Sequence, residues 1–279
     1  MKRELKVRLL LLVLLFSFFS ALGIQRLHER SRLSRLNSAT TVSMEFRDHI
    51  LNDDMTKMLH KSDNPGKAAG LYLLESKFSY RKFEYPYTEE TVKKLYEKWA
   101  VKEEWIPYQK ACNAIWNDLM YFPVPESADN PALTVTYGDS WMSERNNGGK
   151  RGHEGTDIMA DQNERGVYPV ISMTDGVVTS MGWLPKGGWR VGITAPEGGY
   201  FYYAHLDSYS NIREGDTVRA GDILGYMGDG GYGKEGAKGK FPVHLHVGIY
   251  LYEDGREISI NPYWILRYLE KRKLKYAFS

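Results

Sequence analysis

The sequence predicts an α+β chain in three parts: an apolar N-terminal membrane or signal helix, a small helical domain, and a β-rich domain. Three observations carry that reading. Lys2, Arg3, Lys6 and Arg8 precede an uncharged, mostly apolar run from Leu9 to Ile24. Apolar residues then recur at helical spacing between Ser43 and Met120. Beyond Phe122-Pro123-Val124-Pro125, short β-branched and aromatic segments alternate with glycine-rich turns.

The apolar run of 16 residues falls between the core of a signal peptide and a full membrane span, and Ala21-Leu22-Gly23 offers the small residues a signal peptidase needs. Residues 1–24 are therefore expected to be a retained anchor, with secretion after cleavage near Gly23 as the alternative. Either fate puts the remainder outside the cytoplasmic membrane. No cysteine follows the run, so the residue that carries a lipoprotein's lipid is missing. Residues 25–42, with Arg26, Arg30, Arg32 and Arg35, read as a polar stalk.

Residues 43–120 read as a helical accessory domain, with Thr91-Val92-Lys93-Lys94-Leu95-Tyr96 and Trp99 at helical spacing and a break from Ser62 to Gly66. Its role stays open among inhibitor lying across a groove, spacer above a membrane, and dock for an unidentified protein partner. His28, His49 and His60 fall here without ligand spacing and read as ordinary histidines. Cys112, the single cysteine, sits in a helical pattern and is expected to be buried. It excludes an internal disulfide, a four-thiolate zinc site and a thiolate-bound Fe–S cluster.

Prolines 123 and 125 end the helical pattern and open the domain at 121–270. Strands are expected at Gly176–Ser180, Arg190–Thr194, Tyr200–Ala204 and Val243–Tyr250. A closing helix follows over 261–269, with Pro262 at its first helical position, and then a basic tail, 271–279. The 37 basic and 35 acidic residues leave a net charge of +2, no field for gathering nucleic acid. The 20 Tyr and 7 Trp residues can line a groove, although burial is their commoner use.

Chemistry concentrates in the β-rich part, which holds four of the seven histidines. In His153-Glu154-Gly155-Thr156-Asp157 an imidazole and a carboxylate stand four residues apart, on one face of either a helix or an extended chain. In His244-Leu245-His246 strand alternation sends both imidazoles to one side and Leu245 to the other. Two imidazoles and a carboxylate are a catalytic zinc ligand set that leaves a position for water. Only one of the strand pair is needed as third ligand. The other, with His205, is then free to move protons or stabilise an oxyanion.

These residues resemble the lysostaphin or LytM type of zinc endopeptidase, which cuts peptide crosslinks in bacterial cell walls. The resemblance spans roughly Tyr121 to Leu269 in four ordered blocks: His153 to Asp157, Asp175-Gly176-Val177-Val178, Tyr203-Ala204-His205-Leu206, and His244-Leu245-His246. It implies an antiparallel-sheet metallopeptidase domain with a groove across the metal. It further implies Zn2+ held by His153, Asp157 and His246, with His205 and His244 acting on the water and the tetrahedral intermediate. Arg213 to Gly225 looks like the family's glycine-punctuated hairpin. Two departures bear on substrate choice: the extra segment Lys234 to Lys240, and Trp189-Arg190 where small or amide residues are expected. The function implied is hydrolysis of peptide bonds in peptidoglycan stems or crossbridges. The alternatives are a non-catalytic wall-binding scaffold docking a partner through the same domain, and a secreted zinc peptidase acting on protein.

Overall fold

A computed structural model describes residues 2–80, 87–145 and 151–279; residues 81–86 of the expected helical domain lie outside the described residues. Helix α1 (Lys2–Leu33) contains the apolar run, whose side chains from Leu9 to Phe16 stand exposed. By length and composition it can cross a membrane. Then come α2 (Met44–Asp48), α3 (Asp53–Leu59), α4 (Pro65–Ser76), α5 (Glu89–Trp99) and α6 (Trp105–Trp116). Four of these begin where a polar side chain accepts an otherwise orphaned N–H three residues on: Ser43 from Phe46, Asn52 from Met55, Asn64 from Lys67 and Thr88 from Thr91. The break expected at Ser62 to Gly66 is the α3–α4 turn, with Pro65 at the first position of α4, where its missing N–H costs nothing.

The remainder is a mostly antiparallel sheet, as expected. Its described strands are β1 (Glu126–Ser127), β2 (Val135–Tyr137), β3 (Glu144–Arg145), β4 (Arg151–Gly152), β5 (Thr156–Ala160), β6 (Pro169–Ile171), β7 (Gly176–Leu184), β8 (Gly188–Thr194), β9 (Tyr200–Tyr209), β10 (Thr217–Val218), β11 (Ile223–Met227), β12 (His244–Glu253), β13 (Arg256–Ile260) and β14 (Lys275–Tyr276). The main sheet runs β10-β7-β8-β9-β12-β5-β2, with β11 bridging β9 and β6, and β13 beside β12. The expected segments fall within β7, β8, β9 and β12, save that Val243 stands one residue before β12.

Three local expectations are corrected. The Arg213–Gly225 segment is not a hairpin: β10 pairs with β7 and β11 with β6 and β9, so its two strands never meet. The Asp222 carboxylate accepts the Arg219 N–H at 2.8 Å and closes a turn that delivers each strand to a separate neighbour. Helix α7 (Tyr263–Leu269) begins one residue later than expected, with Pro262 as its cap, because the Asn261 side chain accepts the Tyr263 N–H at 3.0 Å. Residues 271–279 are not a free tail, since β14 pairs in parallel with β1 and Tyr276 donates to the Gly221 carbonyl.

The helical unit and the sheet share one hydrophobic core. Buried residues run continuously from Leu36 through Trp99, Tyr108 and Trp116 to Phe201, Leu245 and Leu269. Helix α2 packs on β13, α3 on α7, and α6 on β12. Polar contacts lock this seam: Arg47 donates to the Ser259 carbonyl at 3.0 Å, and Asn261 donates to Asp48 and Asp139 at 3.1 Å each.

Candidate metal centre

Register on β12 builds the centre. In the antiparallel pair of β12 with β5, His246 stands opposite Asp157, whereas His244 stands opposite Met159. His153 approaches from the turn before β5. The result is a compact triad: Asp157 Oδ1 lies 3.0 Å from His153 Nε2 and 3.0 Å from His246 Nδ1, and those two nitrogens are 3.0 Å apart. His244 Nε2 is farther, 3.8 Å from the same oxygen.

The surrounding groups orient these donors. His153 Nδ1 lies 3.1 Å from the carbonyl oxygen of Ser140, which only accepts, so the proton belongs on Nδ1 and the Nε2 lone pair faces the triad. Arg145 Nη2 is also 3.0 Å from that nitrogen, but its firm partner is Asp157 Oδ2 at 2.6 Å. That bond occupies one carboxylate oxygen and leaves Oδ1 toward the imidazoles. Burial alone would raise the Asp157 carboxyl, but its close contacts with the ring nitrogens of His153 and His246 hold it far below the usual carboxylate range. Burial lowers His246 below the ordinary imidazole range. Two imidazoles and one carboxylate, with donor atoms all within 4.8 Å of one another, could hold a divalent metal, and their chemistry suits zinc.

His205 and His244 flank the triad with ring centroids 4.6 Å apart. Each commits Nδ1 to a backbone carbonyl: His205 to Gly230 and His244 to Pro242, both at 2.8 Å. Each therefore presents an Nε2 lone pair. Burial pushes His205 down to about 3 and also lowers His244, so both imidazoles are neutral at pH 7. His205 takes a left-handed backbone, φ 64°, beside a bulge between β8 and β9.

All five expected site residues thus meet at the floor of one open cleft of about 1200 Å³. Tyr200, Tyr202 and Tyr250 line it, with charged side chains of both signs, and among the described residues none before Glu144 reaches it. The described residues of the helical unit accordingly do not line the cleft. His49 and His60 lie elsewhere, His49 wholly buried against Trp116 and His60 stacked on Tyr268 at 4.3 Å. Sequence reasoning missed Arg145, which no motif distinguishes, and Gly155. A Cβ on Gly155 would stand 2.5 Å from Cε1 of His246, so that glycine makes room for the ring.

Known proteins share both parts of the chain. Residues 31–118 match the LytM N-terminal domain and residues 151–262 match Peptidase family M23. A crystal structure from Ruminococcus gnavus ATCC 29149, provisionally named glycyl-glycine endopeptidase lytM, superposes with a TM-score of 0.84 at 53% identity, covering 89% of this chain and 99% of that one. The L-Ala–D-Glu endopeptidase of Bacillus subtilis (strain 168) is 41% identical over 151 residues, 54% of this chain and 44% of that protein. Lysostaphin of Staphylococcus simulans is 36% identical over 66 residues, 23% of this chain and 13% of that protein. The chain spans less than half the length of these two curated relatives.

Proposed function

The chain belongs to Peptidase family M23, and from that premise we propose that it is a zinc-dependent endopeptidase hydrolysing peptide bonds of bacterial peptidoglycan, in stems or crossbridges, outside the membrane. The observation that carries the reading is the convergence of His153 Nε2, Asp157 Oδ1 and His246 Nδ1 at the floor of a cleft, with two further imidazoles turned toward it. In this reading those three residues hold the ion. Bound zinc supplies a lowered pKa for water, toward ~7, and polarisation of the scissile carbonyl.

The chain's own groups do the rest. Arg145 keeps Asp157 Oδ2 engaged, so that the carboxylate offers Oδ1 alone. His205 and His244, each locked by its carbonyl into the tautomer with a bare Nε2, take a proton from the attacking water and return one to the departing amine. Helix α1 serves as a membrane anchor, or as a leader removed near Gly23, beyond which 25–42 is a stalk. Residues 43–120 form the accessory part and 121–270 the peptidase part.

The test has two arms. Zinc content is measured for His153→Ala, Asp157→Ala and His246→Ala, which should lose the metal, and for His205→Ala and His244→Ala, which should keep it while losing roughly 10²- to 10⁴-fold in rate. Zinc lost from His244→Ala but kept by His246→Ala would overturn the ligand assignment. Mass spectrometry of muropeptides released from purified peptidoglycan identifies the bond, which the relatives' names divide between L-Ala–D-Glu and glycyl-glycine. A zinc-loaded protein that releases nothing, with ligand variants that still function in cells, would replace the enzyme by a scaffold.

A further inference from the structure

Among the cationic side chains around the cleft, one half-buried guanidinium stands apart. Arg145 is bound to Asp157 and Lys240 to the Tyr232 carbonyl, Arg151 is bound through Nη2 to the Tyr232 hydroxyl while its Nε is enclosed without a partner among the described residues, and Lys186 is exposed. Arg190 also lines the cleft, but its Nη1 is shut off from water and has no hydrogen-bond partner among the described residues. Its side chain makes no hydrogen bond among the described residues, so beyond the enclosed Nη1 the guanidinium keeps N–H groups for a ligand in the cleft.

The position is built. Arg190 lies on β8 at the bulge, where it alone faces the two residues Ala204 and His205 of β9, so its backbone runs beside that of one member of the proposed catalytic pair. Its backbone is pinned, with the Tyr209 hydroxyl accepting its N–H at 3.2 Å and lying 2.9 Å from its carbonyl oxygen. Bare backbone at Gly187 and Gly192 lets the hydroxyls of Tyr202 and Tyr200 lie close, where a Cβ would come within 2.5 Å and 2.1 Å of them. Two carboxylates whose charge reaches Tyr200 are otherwise engaged: Glu214 accepts the Met181 N–H, and Glu257 accepts the Tyr252 hydroxyl at 2.7 Å.

We propose that Arg190 forms a carboxylate-binding subsite in the cleft, selecting peptides that carry a free carboxylate on a residue flanking the scissile bond. A planar fork pairs two N–H groups with two carboxylate oxygens, which neither a neutral glycine bridge nor a carboxamide can match. The other charges lining the cleft are of both signs. The inference rests on the peptidase reading above and selects stem-type acidic peptides over glycine bridges.

The test uses the full zinc-loaded chain with two synthetic peptides, L-alanyl-γ-D-glutamyl-L-lysine and the same peptide with its glutamyl carboxylate converted to carboxamide. Wild type should favour the acid by roughly 10- to 100-fold in kcat/KM, the discrimination a charged hydrogen-bonded pair provides. Arg190→Gln should bring that ratio to within about twofold, and Arg190→Lys, which keeps the charge without the fork, should fall between. Equal cleavage of both peptides by wild type, or an undiminished preference in Arg190→Gln, overturns the subsite. Cleavage of neither peptide defeats the peptidase reading for these substrates. Calorimetric titration with the same pair then decides the subsite separately: tighter binding of the acid that Arg190→Gln abolishes upholds it, and equal affinity overturns it.

Discussion

Replacing Gly155 by alanine tests whether backbone spacing, and not ligand identity alone, makes the metal centre. The added Cβ would stand 2.5 Å from His246 Cε1, 2.6 Å from His246 Nε2 and 2.5 Å from the Val247 carbonyl oxygen. Unstrained contact begins at 3.4 Å, so something must yield by about 0.9 Å. Val247 pairs with Thr156 on one side and Tyr203 on the other, which pins the strand and leaves the His246 ring to move. Zinc–nitrogen bonds near ~2.0–2.1 Å tolerate displacements of about 0.2 Å, several times less than the clash requires. Gly155→Ala should therefore weaken zinc binding by roughly 100-fold or more and cost about 1–3 kcal/mol in stability through overpacking. Chelator competition gives the first quantity and denaturant unfolding of the metal-free chain the second. Gly138→Ala is the control, because its Cβ meets nothing within 4 Å. If Gly155→Ala retains zinc with an affinity within about twofold of wild type, the reasoning from close approach is wrong.

Three further outcomes follow from the core. His49 is fully buried, donates from Nδ1 to the Phe46 carbonyl at 3.0 Å and accepts the Trp116 indole N–H at 2.7 Å; burial pushes its pKa from 6.5 down to about 4. The unfolded chain binds that proton more readily, so this stability is fully present above pH 6.5 and is lost as pH falls toward 4, by about 3 kcal/mol; denaturant unfolding of His49→Gln should be less pH-sensitive than wild type, and equal sensitivity refutes the assignment. The Cys112 thiol is wholly buried and its pKa is pushed up to about 12, so it should resist disulfide reagents at pH 8 until the chain is denatured; rapid native-state labelling would contradict this packing. Asn261→Ala strips hydrogen bonds from Asp48, Asp139 and the Tyr263 N–H at the seam between helices and sheet, and should cost about 2–3 kcal/mol in urea unfolding; a change below about 0.5 kcal/mol would show the seam does not depend on it.

Much of the fold was legible because local rules govern it. The apolar run, the α3–α4 break and the four strand segments depend on residues within a few positions of one another, and all appear. Pairing is a different matter. The Arg213–Gly225 segment reads as a hairpin because its glycines permit one, yet each short strand finds a better partner elsewhere in the sheet. Helical periodicity marks a buried face on α6 without naming what covers it. The cover is α4 together with β12, so the helical unit and the sheet share one core. Arg145 was invisible because its hydrogen bond to Asp157 crosses from β3 to β5, a contact no spacing encodes.

The candidate centre divides along the same line. The sequence by itself determined the donor types, the four-residue interval between His153 and Asp157, and the projection of His244 and His246 to one face of a strand, since these follow from backbone periodicity alone. It could not say which of those two imidazoles meets the carboxylate, because alternation treats them alike. Only the tertiary structure decided that. Packing across β9, β5 and β13 fixes the register of β12, setting His246 opposite Asp157, 89 residues away in the chain, and His244 opposite Met159.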